Sequence, residues 1–382
     1  MSKLYFFYLI LIIFIVVFIF FKNNNILSIV KHNDSKNFSI SGFDTSYGVG
    51  VNSNGSIFIP DFKLGYIFKI KKNLKDFSLL DLKKEKLEPV SIYEKIISLT
   101  FLNKIINKRG NFNKIHDIYF DDQDYMYVVD MGLGHEKGQG LVYIFDNDLN
   151  LVKKIGENFH YKKGLISPVM PSTNKNYIYI SEWGASKIII YDKKFNYHGW
   201  LGAYDEITEK IKSDYWTEDK QILNISLNGP HAIRFDKFNN IYIADTNNHR
   251  IIKLSENFSF QGFIGKYDKT DEATLGWKKE NYKTLKGNNL GEFNAPVGME
   301  IYKDNIYIAD CFNDRIVKIN LDGVPIGILS FNKEKNYYFW SKNNNEKIEI
   351  RNPYAISIFD NKLYIADRSN SKIEVISLME IN

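Results

Sequence analysis

Short runs of alternating apolar and polar residues, cut by turn residues, recur along this chain. The clearest copy lies at Gly229–Gly265, where HAIRFD, NIYIAD, RIIKLS and FSFQGFIG are separated by Lys237–Asn240, Thr246–His249 and Ser255–Asn257. Period-two alternation broken by Asn-rich clusters predicts four short strands joined by hairpins. One such sheet cannot bury both of its faces, so it needs copies to stack against. The run that ends in a carboxylate recurs at Asp61, Asp130, Glu182, Asp245, Asp310 and Asp367, in steps of 52 to 69 residues. Six four-stranded units with variable connections predict an all-β chain folded as a six-bladed β-propeller.

The pattern also predicts how the ring closes. Residues Asn37–Phe43 (NFSISGF) match Asn257–Phe263 (NFSFQGF), the fourth strand of the fourth unit, yet they precede the first strand of unit one. The sixth unit runs out after its third strand, Lys372–Leu378. The start of the chain is therefore expected to supply that unit's fourth strand and remove the open edge.

Two segments break the pattern. Leu4–Phe21 is an unbroken apolar run, and 18 residues at about 1.5 Å rise cross a bilayer core of about 30 Å with little to spare. Lys22-Asn23-Asn24-Asn25 follows it, with no small-residue cleavage site, so an uncleaved signal-anchor is expected, with the propeller on the periplasmic or extracellular side. The division is then 1–22 anchor, 23–36 tether and 37–382 propeller. Between units one and two, residues 83–114 form an insertion. Ser91 to Glu94 makes a capping box, and Tyr93, Ile96, Ile97, Phe101 and Ile105 fall at helical spacing, predicting a helix over about 92–107 that packs on the propeller or lies on the membrane surface.

GPHAI…IYIADTNNHRI and APVGM…IYIADCFNDRI resemble NHL repeats, and the resemblance extends over roughly residues 38–378. It implies the propeller fold but no single activity, because such propellers serve as binders, scaffolds and a few enzymes. The net charge of +5 is small for 382 residues, and lysines are scattered through turns without a basic stripe interleaved with aromatics. This argues against nucleic acid as a partner. The single cysteine, Cys311, permits no internal disulfide.

Candidate chemistry divides into three groups. Asp245 with Arg250, Asp310 with Arg315, Glu182 with Lys187 and Asp367 with Lys372 share one spacing. A motif repeated around the ring is expected to tie hairpins, not to form a unique site. The first-strand residues nearest the axis are Tyr47, His116, Val169, His231, Val297 and Tyr354, so that alternate units contribute His116, His231 and Tyr354. That set resembles the peptidyl-α-hydroxyglycine amidating lyase propellers, where alternate blades each supply a zinc-binding histidine. The resemblance implies a divalent metal held by His116 and His231, with Tyr354 departing from the pattern. Third, the long connections carry Trp216, Trp277, Trp340 and Tyr337, flat amphipathic residues suited to a glycan, peptide or protein ligand. The leading expectation is a membrane-anchored binding or scaffold module. The alternative is a metal-dependent lyase or hydrolase with its site in the channel.

Overall fold

The computed structural model describes residues 28–31, 37–43, 46–83, 85–90, 111–132, 140–157, 165–203, 220–268, 276–279, 283–332, 334, 337–343 and 348–380. They form six antiparallel-cored sheets, one for each unit. Their first strands neighbour one another in cyclic order, and the first strand of blade 6 returns to that of blade 1. This is the expected six-bladed propeller. Blade 4 shows the common plan: Pro230–Phe235, Ile241–Asp245, Arg250–Leu254 and Phe260–Tyr267, from the axis outward. The IYIAD run of blades 4 and 5 and the LYIAD run of blade 6 are buried at every position, which is why these runs are the best marked in their units. Apolar side chains from facing blades fill the gaps, as where Ile308 and Val317 of blade 5 share a core with Ala244 of blade 4 and Val375 of blade 6.

Closure occurs as expected. Phe38–Ser41 pairs antiparallel with Lys372–Ser377, with Phe38 opposite Val375 and Ser41 opposite Lys372. Phe38 and Ile40 are buried in that sheet. Part of the segment expected to be a tether, residues 23–36, is a strand. Ser28–Lys31 pairs with Phe38–Ser41 as a fifth, outermost strand, because an unpaired strand edge beside it offers a row of free N–H and C=O groups.

Fifth strands also flank four other blades, at Lys86–Val90, Gln221–Leu223, Thr284–Leu285 and Tyr337–Ser341. The insertion after blade 1 therefore begins with a strand. The expected helix over about 92–107 and the expected membrane segment 4–21 lie outside the described residues. Among the described residues no helix is long and apolar enough to cross a membrane.

Each blade has its second-to-third-strand turn and its fourth-to-first-strand connection on the same face, here called the turn face. The repeated carboxylate holds the two together. Asp245 accepts the Asn228 backbone N–H at 2.8 Å, Asp310 that of Asn294 at 2.7 Å and Asp367 that of Arg351 at 2.8 Å. Asp130 receives Asn113 and Lys114 in the same way, and Glu182 receives Ile166 and Ser167. The cation that follows completes the expected pair in blades 4, 5 and 6: Arg250–Asp245 and Arg315–Asp310 at 2.7 Å, and Lys372–Asp367 at 3.5 Å. In blade 3 the Lys187 ammonium lies 5.5 Å from the Trp200 ring centroid. These carboxylates are structural.

Candidate functional site

The first strands bring His116, His231 and Tyr354 from blades 2, 4 and 6 to one point on the axis, near the turn face. Their positions follow from register. His231 and Tyr354 each come directly after the proline that pairs with the repeated carboxylate, and His116 follows Ile115, which occupies the proline's place. His116 Nδ1 is 3.0 Å from the Val169 carbonyl, and His231 Nδ1 is 3.0 Å from the Gly229 carbonyl. A carbonyl only accepts, and the Thr246 hydroxyl, 2.9 Å from His231 Nδ1, gives its proton to the Pro296 carbonyl at 2.7 Å, so both Nδ1 atoms carry the proton and both Nε2 atoms are bare. The two Nε2 atoms share one partner, the Tyr354 hydroxyl, at 2.8 Å from His231 and 3.3 Å from His116. A phenol has one proton to give. The shorter contact takes it, and His116 is left facing an oxygen without a donor.

The surroundings keep the cluster neutral. Burial is the main cause that lowers His231 to about 4 and His116 well below its usual range, and the neighbouring His231 and Arg368 lower His116 further. Burial likewise raises the Tyr354 phenol far above its ordinary value. The Arg368 guanidinium lies over the Tyr47 ring at 4.2 Å and the Tyr354 ring at 5.4 Å, capping the cluster from the turn face.

This donor set fits a catalytic zinc ion poorly. Zinc takes three protein ligands and a water. Here two imidazoles converge, and the third position is a phenol that already bonds to both. Among the described residues no group of three or more His, Cys, Asp or Glu is placed to hold a metal ion.

Deeper in the channel lies a polar set that sequence reasoning missed. Arg234 Nε pairs with Glu300 at 2.9 Å, and the guanidinium lies 5.3 Å from the Tyr119 ring centroid. With Asp117, whose carboxyl burial pushes up to about 7, they line a cavity of about 180 Å³. The register signal was available, because Arg234, Glu300 and Ser357 each pair with the tyrosine of the second strand.

The aromatic residues expected to form a ligand surface are dispersed. Trp277 Nε1 donates to the Leu321 carbonyl at 2.8 Å, while its ring sits 5.6 Å from Tyr242 beneath the Lys253 ammonium. Trp340 repeats this arrangement one blade on, 5.7 Å from Tyr307 and beneath Lys318. Both rely on a glycine in the fourth strand: a Cβ on Gly262 would come 2.9 Å from Trp277 Cβ, and one on Gly327 2.8 Å from Trp340 Cβ. A stack repeated in two blades is packing that holds outer strands against the sheet. Tyr337 stands exposed at the end of the outer strand of blade 5, and Trp216 lies outside the described residues.

A wide cleft opens elsewhere on the turn face, at the outer side of blade 4. It measures about 970 Å³ and is lined by Asn228, Asn247, Arg250, Lys266, Lys283 and Lys286, together with Ser226, Asn248, His249, Thr284 and Leu285. Among the described residues no carboxylate lines it. Asp245 lies beneath, already engaged by Arg250 and Asn248. His249 accepts the Ala295 backbone N–H at 3.0 Å and so ties blade 4 to blade 5.

The model of the NHL repeat matches residues 227–254, from the last residues before the first strand of blade 4 through its third strand. No curated protein matches the sequence. Among solved structures, a propeller from Bacteroides ovatus ATCC 8483 described as an auxiliary nutrient binding protein is 11% identical with a TM-score of 0.54, covering 92% of this chain and 76% of that one. A protein of unknown function from Bacteroides thetaiotaomicron VPI-5482 is 14% identical with a TM-score of 0.51, covering 91% and 74%. A streptogramin B lyase is 10% identical with a TM-score of 0.50, covering 91% and 96%. At these identities the likeness is one of fold alone.

Proposed function

Taking the chain as an NHL-repeat six-bladed β-propeller, we propose that it is a membrane-anchored, extracytoplasmic binding module whose ligand meets the turn face. Residues 4–21 serve as a single-pass anchor, and the helix over about 92–107 packs beside the ring. The observation that carries the reading is the cleft of about 970 Å³ at blade 4, where cations and side-chain amides gather with no carboxylate among the described lining residues. Asn247 donates to the Asn228 carbonyl, so the Asn228 amino group and the Asn247 carbonyl remain for a ligand among the described contacts. A binding role is also what the description of the Bacteroides ovatus propeller states for that protein. Glycan, peptide and protein ligands all present groups such a surface can hydrogen-bond.

The test uses the full chain, purified in detergent, and panels of neutral and acidic glycans and peptides. Asn228→Ala/Asn247→Ala removes two side-chain amides from the lining of the cleft and should weaken the binding that wild type shows about 10-fold. A ligand held equally well by Asn228→Ala/Asn247→Ala would place the site elsewhere. The metal-dependent lyase or hydrolase remains a second reading because two imidazole Nε2 atoms converge on the axis. It is the weaker one, since the phenol occupies the place where an ion would sit.

A further inference from the structure

We infer that the turn face lies along the bilayer and that the blade-4 cleft takes the phosphate headgroups of anionic lipid in the same membrane, an assignment that rests on the anchored-binder reading above. Two independent observations support it.

The first is the path of the chain. The Asp367–Lys372 pair marks the turn-face end of blade 6. Ser41 pairs with Lys372, and Ser28 pairs with Ser41, so Ser28 enters the outermost strand at the turn-face rim. Only residues 22–27 separate this point from the apolar run that ends at Phe21. Six residues reach about 20 Å when fully extended. A blade strand of six residues is itself about 20 Å tall. Presenting the opposite face to the bilayer would use the whole tether merely to run down the side of blade 6. The short tether therefore favours the turn face toward the headgroups.

The second is the charge of the cleft on that face. Arg250 and Lys266 end adjacent strands there, and Lys283 and Lys286 flank the outer strand Thr284–Leu285, which pairs with Lys266 and Tyr267. Lys283 and Lys286 are exposed. Lys286 acts on its surroundings: with burial as the larger cause, its charge lowers the His249 imidazole. A concave surface of cations and amides complements a phosphate monoanion bearing hydroxyls, and lysines within a Debye length of an anionic leaflet are attracted to it.

The experiment places the full chain in lipid nanodiscs and reads contact by fluorescence quenching from a headgroup-nitroxide lipid. One label is attached through Leu285→Cys in the cleft. Another goes on through Phe238→Cys, an exposed position in the first-to-second-strand turn of the same blade, on the opposite face. The native Cys311 is buried and stays unlabelled. In discs of phosphatidylcholine with phosphatidylglycerol the label at 285 should be quenched and that at 238 should not. Lys283→Glu/Lys286→Glu should lose the quenching at 285, down to its level in phosphatidylcholine alone, with the thermal melt unchanged. Equal quenching at both positions would overturn the orientation, and quenching untouched by charge reversal would overturn the headgroup site. An unquenched label at 285 that responds to soluble polygalacturonate would assign the cleft to acidic glycans, leaving the binder reading standing. Failure of the chain to co-purify with discs would remove the anchor and with it both readings.

Discussion

The Asn37 side-chain carbonyl accepts the Ser377 backbone N–H at 2.6 Å, across 340 positions of sequence. This bond sits beside the pairing of Phe38–Ser41 with the last long strand, so one end of the chain completes the sheet made by the other. Truncation should expose the difference between the two N-terminal strands. Deletion through Lys36 removes the outermost strand, whose Ile29 is only partly buried, and should cost about 1–2 kcal/mol. Deletion through Asp44 also removes Phe38, Ile40 and Phe43, all buried, at about 1.5–3 kcal/mol each, and reopens an edge. Denaturant unfolding of both truncations checks this. Equal midpoints would show that the strand does not close the ring.

The repeated ion pairs should differ sharply in worth, because their exposure differs. Arg315 and Asp310 are both fully buried, and Arg315 also donates to the Asn288, Asn289 and Glu292 carbonyls. Arg315→Ala leaves a buried carboxylate without its cation and should cost about 3–5 kcal/mol. Lys372 is 28% exposed and 3.5 Å from the buried Asp367, and it also pairs with Glu374 at 2.5 Å; because water reaches its ammonium, Lys372→Ala should cost less, about 1–2 kcal/mol. Urea titration of the two variants would show the contrast, and similar losses would contradict it.

The strands, their order and the closing of the ring were legible because each buried second strand repeats one apolar pattern ending in a carboxylate. The outer strands were not legible. They bury one face at most and carry residues that read as loop: Pro89 in one, and the run Tyr337–Trp340 in another, which resembles an exposed aromatic surface. Their docking depends on Gly262 and Gly327, whose value lies in the side chain they lack. The His–His–Tyr convergence was readable from register, since each residue follows the same proline position. The cleft was not, because Arg250, Lys266, Lys283 and Lys286 are dispersed in sequence and meet only through strand pairing at the outer edge of blade 4.

Acid should weaken the fold through the axial cluster. The His231 imidazole titrates near 4 in the folded protein, against its usual 6.5, chiefly because it is buried. A base whose folded pKa is depressed is protonated first in the unfolded chain. Its contribution is therefore fully present above pH 6.5 and is lost as pH falls from there toward 4. For His231 alone the loss is about 3 kcal/mol over that window. Stability measured by denaturant at intervals from pH 7 to 4.5 should fall accordingly, and His231→Gln should flatten the slope. A wild-type curve flat through this range would refute the assignment.

The identity of residue 354 should decide whether the channel holds a metal. His116 and His231 already have Nδ1 bonded to carbonyls and Nε2 turned to the axis, the orientation that metal-ligating histidines take. What they meet is the Tyr354 hydroxyl, which donates to one and blocks both. Tyr354→His removes the phenol and brings a third imidazole from the remaining alternate blade. If the three positions converge as described, this variant should bind zinc in stoichiometric amount and at least about 10-fold more tightly than wild type. Elemental analysis after dialysis, with competition against a chromogenic chelator, measures both. Tyr354→Phe should gain little, because it clears the hydroxyl without adding a ligand. Stoichiometric zinc in the wild type, lost in His116→Ala/His231→Ala, would mean that the phenol yields to the ion and would turn the channel into the leading candidate for catalysis.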